Sequence, residues 1–169
     1  MAQVRRAVLS DVGAIAAVHV ASWETTYAGV LPEVYLRARN RLAREAFWND
    51  LLRADDPRVV VVVACEDDGT VCGFASGGPE LHGRLGVDGE LYSLYLLEAV
   101  QGKGLGRRLA ETVLEELRGQ GAVSIAVWVL GENPARGFYE RMGGRLLAEK
   151  QVDLGGETFT EVAYDLGSH

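Results

Sequence analysis

The spacing of apolar positions in the first third of the chain predicts a strand followed by two helices. A strand over Val4–Val8 precedes a helix that Ser10 would cap, because apolar positions recur at three- and four-residue steps from Ala14 to Ser22. A second helix is predicted from Pro32 to about Leu52. Its apolar face would carry Tyr35, Leu42, Phe47 and Leu51, while Arg37, Arg39, Arg41 and Arg44 would face water.

A β-hairpin is predicted next, from two valine-rich or alternating runs. Arg58–Glu66 and Val71–Gly77 flank Asp68-Gly69, a pair that readily adopts the positive φ angles of a tight turn. This register would place Cys65 opposite Cys72. A cross-strand disulfide is then conceivable, but we expect a reduced, buried pair.

The second half of the chain predicts a loop, a central strand and a strongly amphipathic helix. Segment 78–89 is rich in glycine, and Glu90–Leu97 has the apolar content of a buried strand. The following helix has Leu105, Leu109, Val113 and Leu117 at four-residue steps and would end near Gly119 or Gly121. The remaining elements are a strand at Ser124–Leu130, a helix at Pro134–Met142, and strands at Leu146–Val152 and Thr158–Leu166.

Composition narrows the class of protein. The chain has 169 residues, of which 48% are hydrophobic and 24% charged, so a single domain over residues 1–169 is expected. A net charge of −7 argues against non-specific binding to nucleic acid. The longest apolar run, Val59–Cys65, is too short to span a membrane, and no signal peptide is recognisable, so a cytoplasmic location is expected. Two cysteines without a CxxC pair, and the scattered His19, His82 and His169, indicate no metal site.

The candidate chemistry lies between the central strand and the amphipathic helix. The segment Gln101–Arg107, QGKGLGR, would aim several backbone N–H groups and a helix N-terminus at one point. Glycines let a phosphate approach these amides, and Lys103, Arg107 and Arg108 add positive charge. The alternative is a tight connection with no ligand. The spacing fits neither a nucleotide-hydrolysing P-loop nor the dinucleotide motif GxGxxG.

In its context, QGKGLG resembles the Gln/Arg-x-x-Gly-x-Gly/Ala signature of the GNAT superfamily of acyl-coenzyme A-dependent N-acyltransferases. The block Asn133–Gly144, NPARGFYERMGG, is similar to a later motif of that family, and the order of elements agrees across nearly the whole chain. The resemblance implies an α/β (α+β type) fold. Its mixed, mostly antiparallel sheet would have about seven strands with splayed central strands, flanked by about four helices.

The resemblance also implies a set of coenzyme-binding residues. The loop, consisting of Gln101, Gly102, Lys103, Gly104, Leu105, Gly106 and Arg107, would hold the pyrophosphate of acetyl-coenzyme A. The pantetheine arm would pair with the main chain of Leu94, Tyr95 and Leu96, and Asn133 and Arg136 would also contact the coenzyme. Asn133 could equally cap the helix that follows. No metal or redox cofactor is implied.

Roles in catalysis are carried over from the resemblance at two positions. Tyr139 matches the tyrosine that protonates the departing thiolate, or else fills the interface beside Phe138. Glu90 resembles a general base, or else is a solvated carboxylate at a strand end. Trp23, Glu24 and Tyr27 lie in the segment where family members build the acceptor wall, although Trp23 and Tyr27 could equally pack in the core.

The function implied is transfer of an acetyl group from acetyl-coenzyme A to a primary amine of a small molecule or protein. A non-catalytic acyl-coenzyme A-binding module is the alternative from another class. A longer acyl chain is also open, and the acidic balance mildly favours cationic acceptors. The oligomeric state, monomer or homodimer, is open as well.

Overall fold

The computed structural model describes residues 2–167. Within them the chain forms seven strands and five α-helices. The strands are β1 (Gln3–Arg6), β2 (Val60–Cys65), β3 (Val71–Pro79), β4 (Gly89–Leu96), β5 (Ile125–Leu130), β6 (Arg145–Leu154) and β7 (Glu157–Asp165). The helices are α1 (Val12–Tyr27), α2 (Glu33–Ala38), α3 (Arg41–Ala54), α4 (Leu105–Gly119) and α5 (Ala135–Arg141).

All seven strands belong to one sheet, in the order β1-β2-β3-β4-β5-β7-β6. The neighbours β4 and β5 run parallel, and every other neighbouring pair is antiparallel. The parallel pair is connected through α4, because parallel neighbours need a long crossover connection, which is usually a helix packed on one face of the sheet. The predicted mixed, mostly antiparallel sheet is confirmed.

Helices cover both faces of the sheet. The four leucine and valine positions of α4 predicted from its four-residue steps are all buried against β2, β3 and β4. On the other face, Ile15 and Val18 of α1 and Trp48 of α3 pack around Phe74 of β3. Each such side chain contributes roughly 1.5–3 kcal/mol by leaving water. Among residues 2–167, none of the helices combines the length and apolar composition that a membrane span requires.

The helix predicted from Pro32 to Leu52 is divided in two, which gives five helices where about four were predicted. The side-chain oxygen of Asn40 accepts a hydrogen bond from the N–H of Ala43 at 3.0 Å, so Asn40 caps α3. A cap residue has extended backbone angles, and Asn40 has φ −75° and ψ 179°. The preceding helix therefore ends before it.

The buried face of α3 also differs from the prediction. Leu42 is 77% exposed and Phe47 53% exposed, whereas Trp48 is 1% exposed. Arg44, expected in water, is half-buried, and its guanidinium carbon lies 4.6 Å from the ring centroid of Trp23. The packing of Trp48 against the sheet decides the helix orientation, because it buries the largest apolar side chain available.

The start of α1 and the first hairpin show two further corrections. Ser10 lies in a 3-10 turn and does not cap α1; the carboxylate of Asp11 instead accepts the Val8 N–H at 2.8 Å. In the hairpin, an irregularity pairs Cys65 with Val71, so Cys65 is not opposite Cys72. Both cysteines are free and buried, as expected.

Candidate active site

The strands β4 and β5 separate after three residue pairs, which opens a gap in the middle of the sheet. Gly89, Glu90 and Leu91 pair with Ile125–Val127, and within residues 2–167 β4 has no further pairing with β5. The segment Leu94–Leu96 remains paired with β3 on its other edge. The gap is therefore bounded by two strand edges, as the predicted splay requires.

The glycine-rich loop lies at one end of this gap, immediately before α4. Gly102 has φ 77° and Gly104 φ 80°, angles that side-chain-bearing residues rarely adopt. No atom lies within 4 Å of a Cβ built on either glycine, so the space above the loop is open. Gln101 ties the loop to β4, since its Nε2 donates to the carbonyl of Leu96 at 3.2 Å.

A cavity of about 540 Å³, here called the loop cavity, extends from this loop into the gap. It is bounded by Gln101, Gly102, Gly104, Gly106 and Arg107 from the loop and α4, by Leu94–Leu96 from β4, by Ser22 and Thr26 from α1, and by Asn133, Pro134, Ala135, Phe138 and Arg141 around α5. The side chains of Lys103 and Leu105 do not line it: Lys103 is exposed and Leu105 is buried in the core. Two arginines, Arg107 and Arg141, border it from opposite sides.

Asn133 lies where the chain enters α5, and both of its side-chain groups are engaged. Its Oδ1 accepts the N–H of Ala135 at 2.8 Å, which is a helix cap, and its Nδ2 donates to the Tyr27 hydroxyl at 2.8 Å. The end of α1 is thereby connected to the start of α5 across the gap. Burial raises the pKa of Tyr27, so its hydroxyl stays protonated.

A second cavity of about 310 Å³, here called the aromatic cavity, adjoins the first. The walls of the aromatic cavity carry Trp23, Tyr27, Tyr35, Tyr92, Tyr95 and Trp128, together with the ionisable residues His82, Glu90, Tyr139, Lys150 and Glu161. The two cavities share Leu94, Tyr95, Asn133 and Ala135. A ligand occupying one cavity can therefore contact a ligand in the other.

Tyr139 reaches the aromatic cavity from α5, although its ring packs in the core on the α4 side of the sheet. Its ring centroid lies 5.2 Å from that of Phe138 and 6.5 Å from that of Tyr164. Burial raises the pKa of Tyr139, since desolvation disfavours the phenolate. The phenol therefore remains a proton donor at neutral pH.

Glu90 lies in the aromatic cavity at the base of the gap and is only 7% exposed. Its Oε1 accepts the backbone N–H of Leu81 at 3.2 Å. Burial raises the pKa of Glu90, and the nearby charges of His82 and Lys150 oppose that shift. A buried carboxyl group with a raised pKa in a cavity is a candidate for accepting and returning a proton.

Two further predicted residues, Glu24 and Arg136, lie outside both cavities. Glu24 is exposed and borders a groove next to α2, outside both cavities, whereas Trp23 borders that groove and the aromatic cavity. The Nε of Arg136 donates to the Tyr164 hydroxyl at 3.0 Å, and Arg136 lines neither cavity. Sequence reasoning missed Arg141 and Lys150. Arg141 lies five residues after Arg136 in the same motif, on the helix face toward the loop cavity.

A metal site is not evident, since no group of three His, Cys, Asp or Glu side chains in the part of the chain described here could hold an ion. The residues around the gap are instead suited to binding an organic ligand. Aromatic walls and hydrogen-bonding groups surround one cavity, and glycines and arginines surround the other. Such cavities are typical of sites for small ligands and cofactors.

Comparison with known proteins finds acetyltransferases among the proteins that this chain resembles. The spermidine N(1)-acetyltransferase of Thermoplasma acidophilum is 24% identical over 144 residues, which are 83% of this chain and 86% of that protein. The crystal structure of the PaiA N-acetyltransferase of T. acidophilum in complex with coenzyme A has a TM-score of 0.73 at 21% identity, covering 100% of this chain and 99% of that chain. A likeness of this degree shows that the fold is shared.

Two findings extend beyond the fold. The uncharacterized N-acetyltransferase YuaI of Bacillus subtilis is 40% identical over 162 residues, which are 96% of this chain and 91% of that protein. Residues 17–144 match the profile of the Acetyltransferase (GNAT) family. That span contains the gap, the loop, Asn133 and Tyr139. The chain therefore belongs to the GNAT family of acetyltransferases.

Proposed function

We propose that the chain transfers an acetyl group from acetyl-coenzyme A to a primary amine of a small molecule. The observation that carries this proposal is the junction of two cavities at the gap between β4 and β5. The loop cavity suits the coenzyme, and the aromatic cavity suits an acceptor. The thioester would lie where they meet, beside Leu94, Tyr95, Asn133 and Ala135.

The start of α4 is suited to the pyrophosphate of the coenzyme. The first N–H groups of a helix have no partner within it, and the helix dipole favours an anion there. Leu105 would contribute its backbone N–H alone, because its side chain is buried. Arg107 and Arg141 would neutralise charge from two sides. Arg107 also donates to Glu111 at 2.8 Å but borders the loop cavity, whereas Arg136 lines neither cavity and is left out of the proposed site. The coenzyme A complex of the PaiA protein supports this assignment by analogy.

The free edge of β4 is suited to the pantetheine arm, whose amides can pair with main-chain groups as an added strand does. Leu94 and Tyr95 border both cavities, so an arm lying there would deliver its thioester to the junction. Asn133 uses one amide hydrogen on Tyr27 and has a second one to donate to the arm. Its helix-capping role is compatible with this contact.

The chemistry is a direct attack on the thioester. A lysine-like amine has a pKa of about 10.4 and is mostly protonated at pH 7, so a base assists the reaction. The amine nitrogen forms a bond to the acetyl carbonyl carbon, the carbon–sulfur bond breaks, and the amine proton passes to Glu90, directly or through water. The electron pair of the broken bond goes to sulfur, which takes the proton of Tyr139. The products are an amide and free coenzyme A, and the proton taken up by Glu90 returns through solvent to the phenolate of Tyr139.

Calorimetric titration with acetyl-coenzyme A, followed by a free-thiol release assay over a panel of amines, tests the proposal. We expect Gly104→Glu to abolish binding, because its side chain would fill the loop cavity. Gly83→Glu is the matched control: Gly83 also has a positive φ and open space around it but lies in the 78–89 loop. Tyr139→Phe should bind acetyl-coenzyme A normally and lose about 100-fold in turnover.

Each outcome of this experiment has one meaning. Failure of the wild type to bind acetyl-coenzyme A contradicts the proposal. Binding that Gly104→Glu and Gly83→Glu reduce equally contradicts the loop assignment. Binding without turnover on any small amine or peptide would make the chain a coenzyme-binding module.

A small acceptor is favoured by the size of the aromatic cavity, about 310 Å³. One chain supplies the walls of both cavities, so we propose that a monomer is competent for catalysis. Because acetyl-coenzyme A is the proposed co-substrate, we also propose that the enzyme acts in the cytoplasm.

A further inference from the structure

Lys150 is an ammonium group inside the aromatic cavity that the proposed chemistry does not use. It lies on β6, is half-buried, and its Nζ lies 4.1 Å from the ring centroid of Trp128. Within residues 2–167 no carboxylate oxygen comes within 4.0 Å of this Nζ. The ring face of Trp128 stabilises the ammonium by a cation–π contact.

Lys150 and Glu161 do not form an ion pair, although their positions on adjacent strands would allow one. Glu161 is directly opposite Lys150 in the register of β6 and β7 and lines the same cavity. Opposite charges at such positions attract each other, yet the two side chains form no salt bridge. Lys150 instead lies over Trp128, near enough to Glu90 for its charge to lower the pKa of that carboxyl. The cavity thus holds a half-buried cation that forms no salt bridge with any carboxylate among residues 2–167.

Building on the proposed function, we propose that the acceptor is a free amino acid whose carboxylate pairs with Lys150. Its amine would then extend toward Glu90 and Tyr139 at the junction, where the acetyl carbon lies. The carboxylate of the acceptor would form the salt bridge that Lys150 does not form with any carboxylate among residues 2–167. Lys150, Glu90 and Tyr139 all line this one cavity of about 310 Å³.

The positive charge of Lys150 also discriminates against a second kind of acceptor. A diamine would bring a further ammonium into the cavity, and like charges at these distances repel in a poorly solvated site. Lys150 also favours the neutral form of the incoming amine, which is the nucleophile. Glu161 is the feature that would favour a diamine, so diamines are the competitors that the test includes.

The test compares amino acids with the amines that lack only their carboxylate, for example ornithine with putrescine and lysine with cadaverine. Acetylation is followed by thiol release at fixed acetyl-coenzyme A. For the wild type we expect kcat/KM for the best amino acid to exceed that for its decarboxylated partner by about 10- to 100-fold, the range for a hydrogen bond to a charged group. Lys150→Gln should remove this preference, and Lys150→Glu should reverse it. Arg145→Gln, an exposed cation on the same strand, should change neither value.

A binding measurement separates this inference from the proposed function. Trp23 and Trp128 line the aromatic cavity, so tryptophan fluorescence of the coenzyme A-loaded protein reports acceptor binding without turnover. Amino acid binding that Lys150→Gln weakens supports the inference even if no product forms. Amines that bind or react as well as the amino acids overturn it and leave the acetyltransferase proposal standing. Amino acid binding that is equal in Lys150→Gln and wild type also overturns it.

Discussion

Glu90 has a raised pKa and lies at the base of the gap. Its replacement should therefore lower activity without lowering stability at neutral pH. We expect Glu90→Gln to lower kcat/KM by about 100-fold, because an amide cannot accept the proton of the amine. In the wild type, kcat/KM should rise with pH as Glu90 ionises, and the variant should lose this limb. Below pH 7 the acceptor amine, with a pKa of about 10.4, contributes the same tenfold rise per pH unit to both proteins, so the ratio of their kcat/KM values isolates the carboxyl group.

The effect of Glu90→Gln on stability has the opposite sign. A carboxyl whose pKa is raised by folding stabilises the folded state when protonated and destabilises it at pH values above its unfolded pKa. At pH 7 the variant should therefore resist urea at least as well as the wild type. The control is Glu115→Gln, on the exposed face of α4, which should change neither activity nor stability. Loss of activity together with a lower unfolding free energy would instead indicate a structural carboxylate.

At individual positions, the sequence predicted residue types better than it predicted side-chain directions. Gly102 and Gly104 have the positive φ angles that a loop open to a phosphate requires. The same reasoning could not distinguish Arg136 from Arg141, because which arginine borders the cavity depends on the rotation of α5 against the sheet. For a similar reason the sequence could not identify Lys150 as a residue of the cavity, because only the pairing of β6 with β7 brings it near Glu90.

At the scale of elements, α5 depends on its first residues for both stability and the position of Tyr139. Asn133→Ala removes the cap on the Ala135 N–H and the bond to Tyr27, so we expect a loss of about 1 kcal/mol and a fall in Tm of about 2–4 °C. Turnover should fall as well, because Tyr139 is carried by this short helix. Thermal unfolding and thiol release measure the two effects.

Asn40 provides a matched control for this prediction. It caps α3 in the same way, through a bond of 3.0 Å to the Ala43 N–H, and borders neither the loop cavity nor the aromatic cavity. Asn40→Ala should lower Tm by a similar amount and leave turnover intact. Tyr27→Phe, which removes the hydroxyl alone, should separate the contact across the gap from the cap. If Asn133→Ala and Asn40→Ala reduce turnover equally, the special role of Asn133 is wrong.

Elements with one dominant periodicity were predicted correctly, and those with competing signals were not. The four-residue steps of α4 fix both its extent and its buried face, because few other apolar residues compete for that position. In the segment from Pro32 to Leu52, apolar residues occur on several faces. Burial of Trp48 and the cap at Asn40 then decide the outcome, and both depend on tertiary packing.

At the scale of the whole molecule, the site arises because the sheet is open at its centre while both faces are covered by helices. Tyr139 belongs to the core on the α4 side but lines a cavity whose other walls include residues of α1 and α2. Such a contact is possible only through the gap between β4 and β5. The sequence predicted the gap by family resemblance, whereas periodicity alone cannot reveal where two parallel strands separate.

Behind the aromatic cavity, the buried His19 makes the stability of the core on the α1 side depend on pH. His19 is 6% exposed, and its Nδ1 accepts the Trp48 Nε1–H at 3.1 Å. Burial, and to a smaller extent the charge of Arg44, lower the pKa of His19 to about 3. In the unfolded chain its pKa is about 6.5, so below that value the unfolded state binds the proton first. Stability is therefore complete above pH 6.5 and is lost as the pH falls toward 3.

We expect the unfolding free energy of the wild type, measured with urea, to be about 2 kcal/mol lower at pH 5 than at pH 7 through His19 alone. Aspartates such as Asp11, whose pKa is lowered by its hydrogen bond to Arg5, add their losses at more acidic pH. Glu90, whose raised pKa acts with the opposite sign, contributes equally to the wild type and to His19→Gln, so the difference between these two proteins isolates the histidine. His19→Gln should lose most of this difference, and His82→Gln, in the 78–89 loop, should retain it. Because His19→Gln could disturb the packing of Trp48, NMR of the wild-type imidazoles provides an independent readout. A His19 resonance that titrates near pH 6.5 would contradict the prediction.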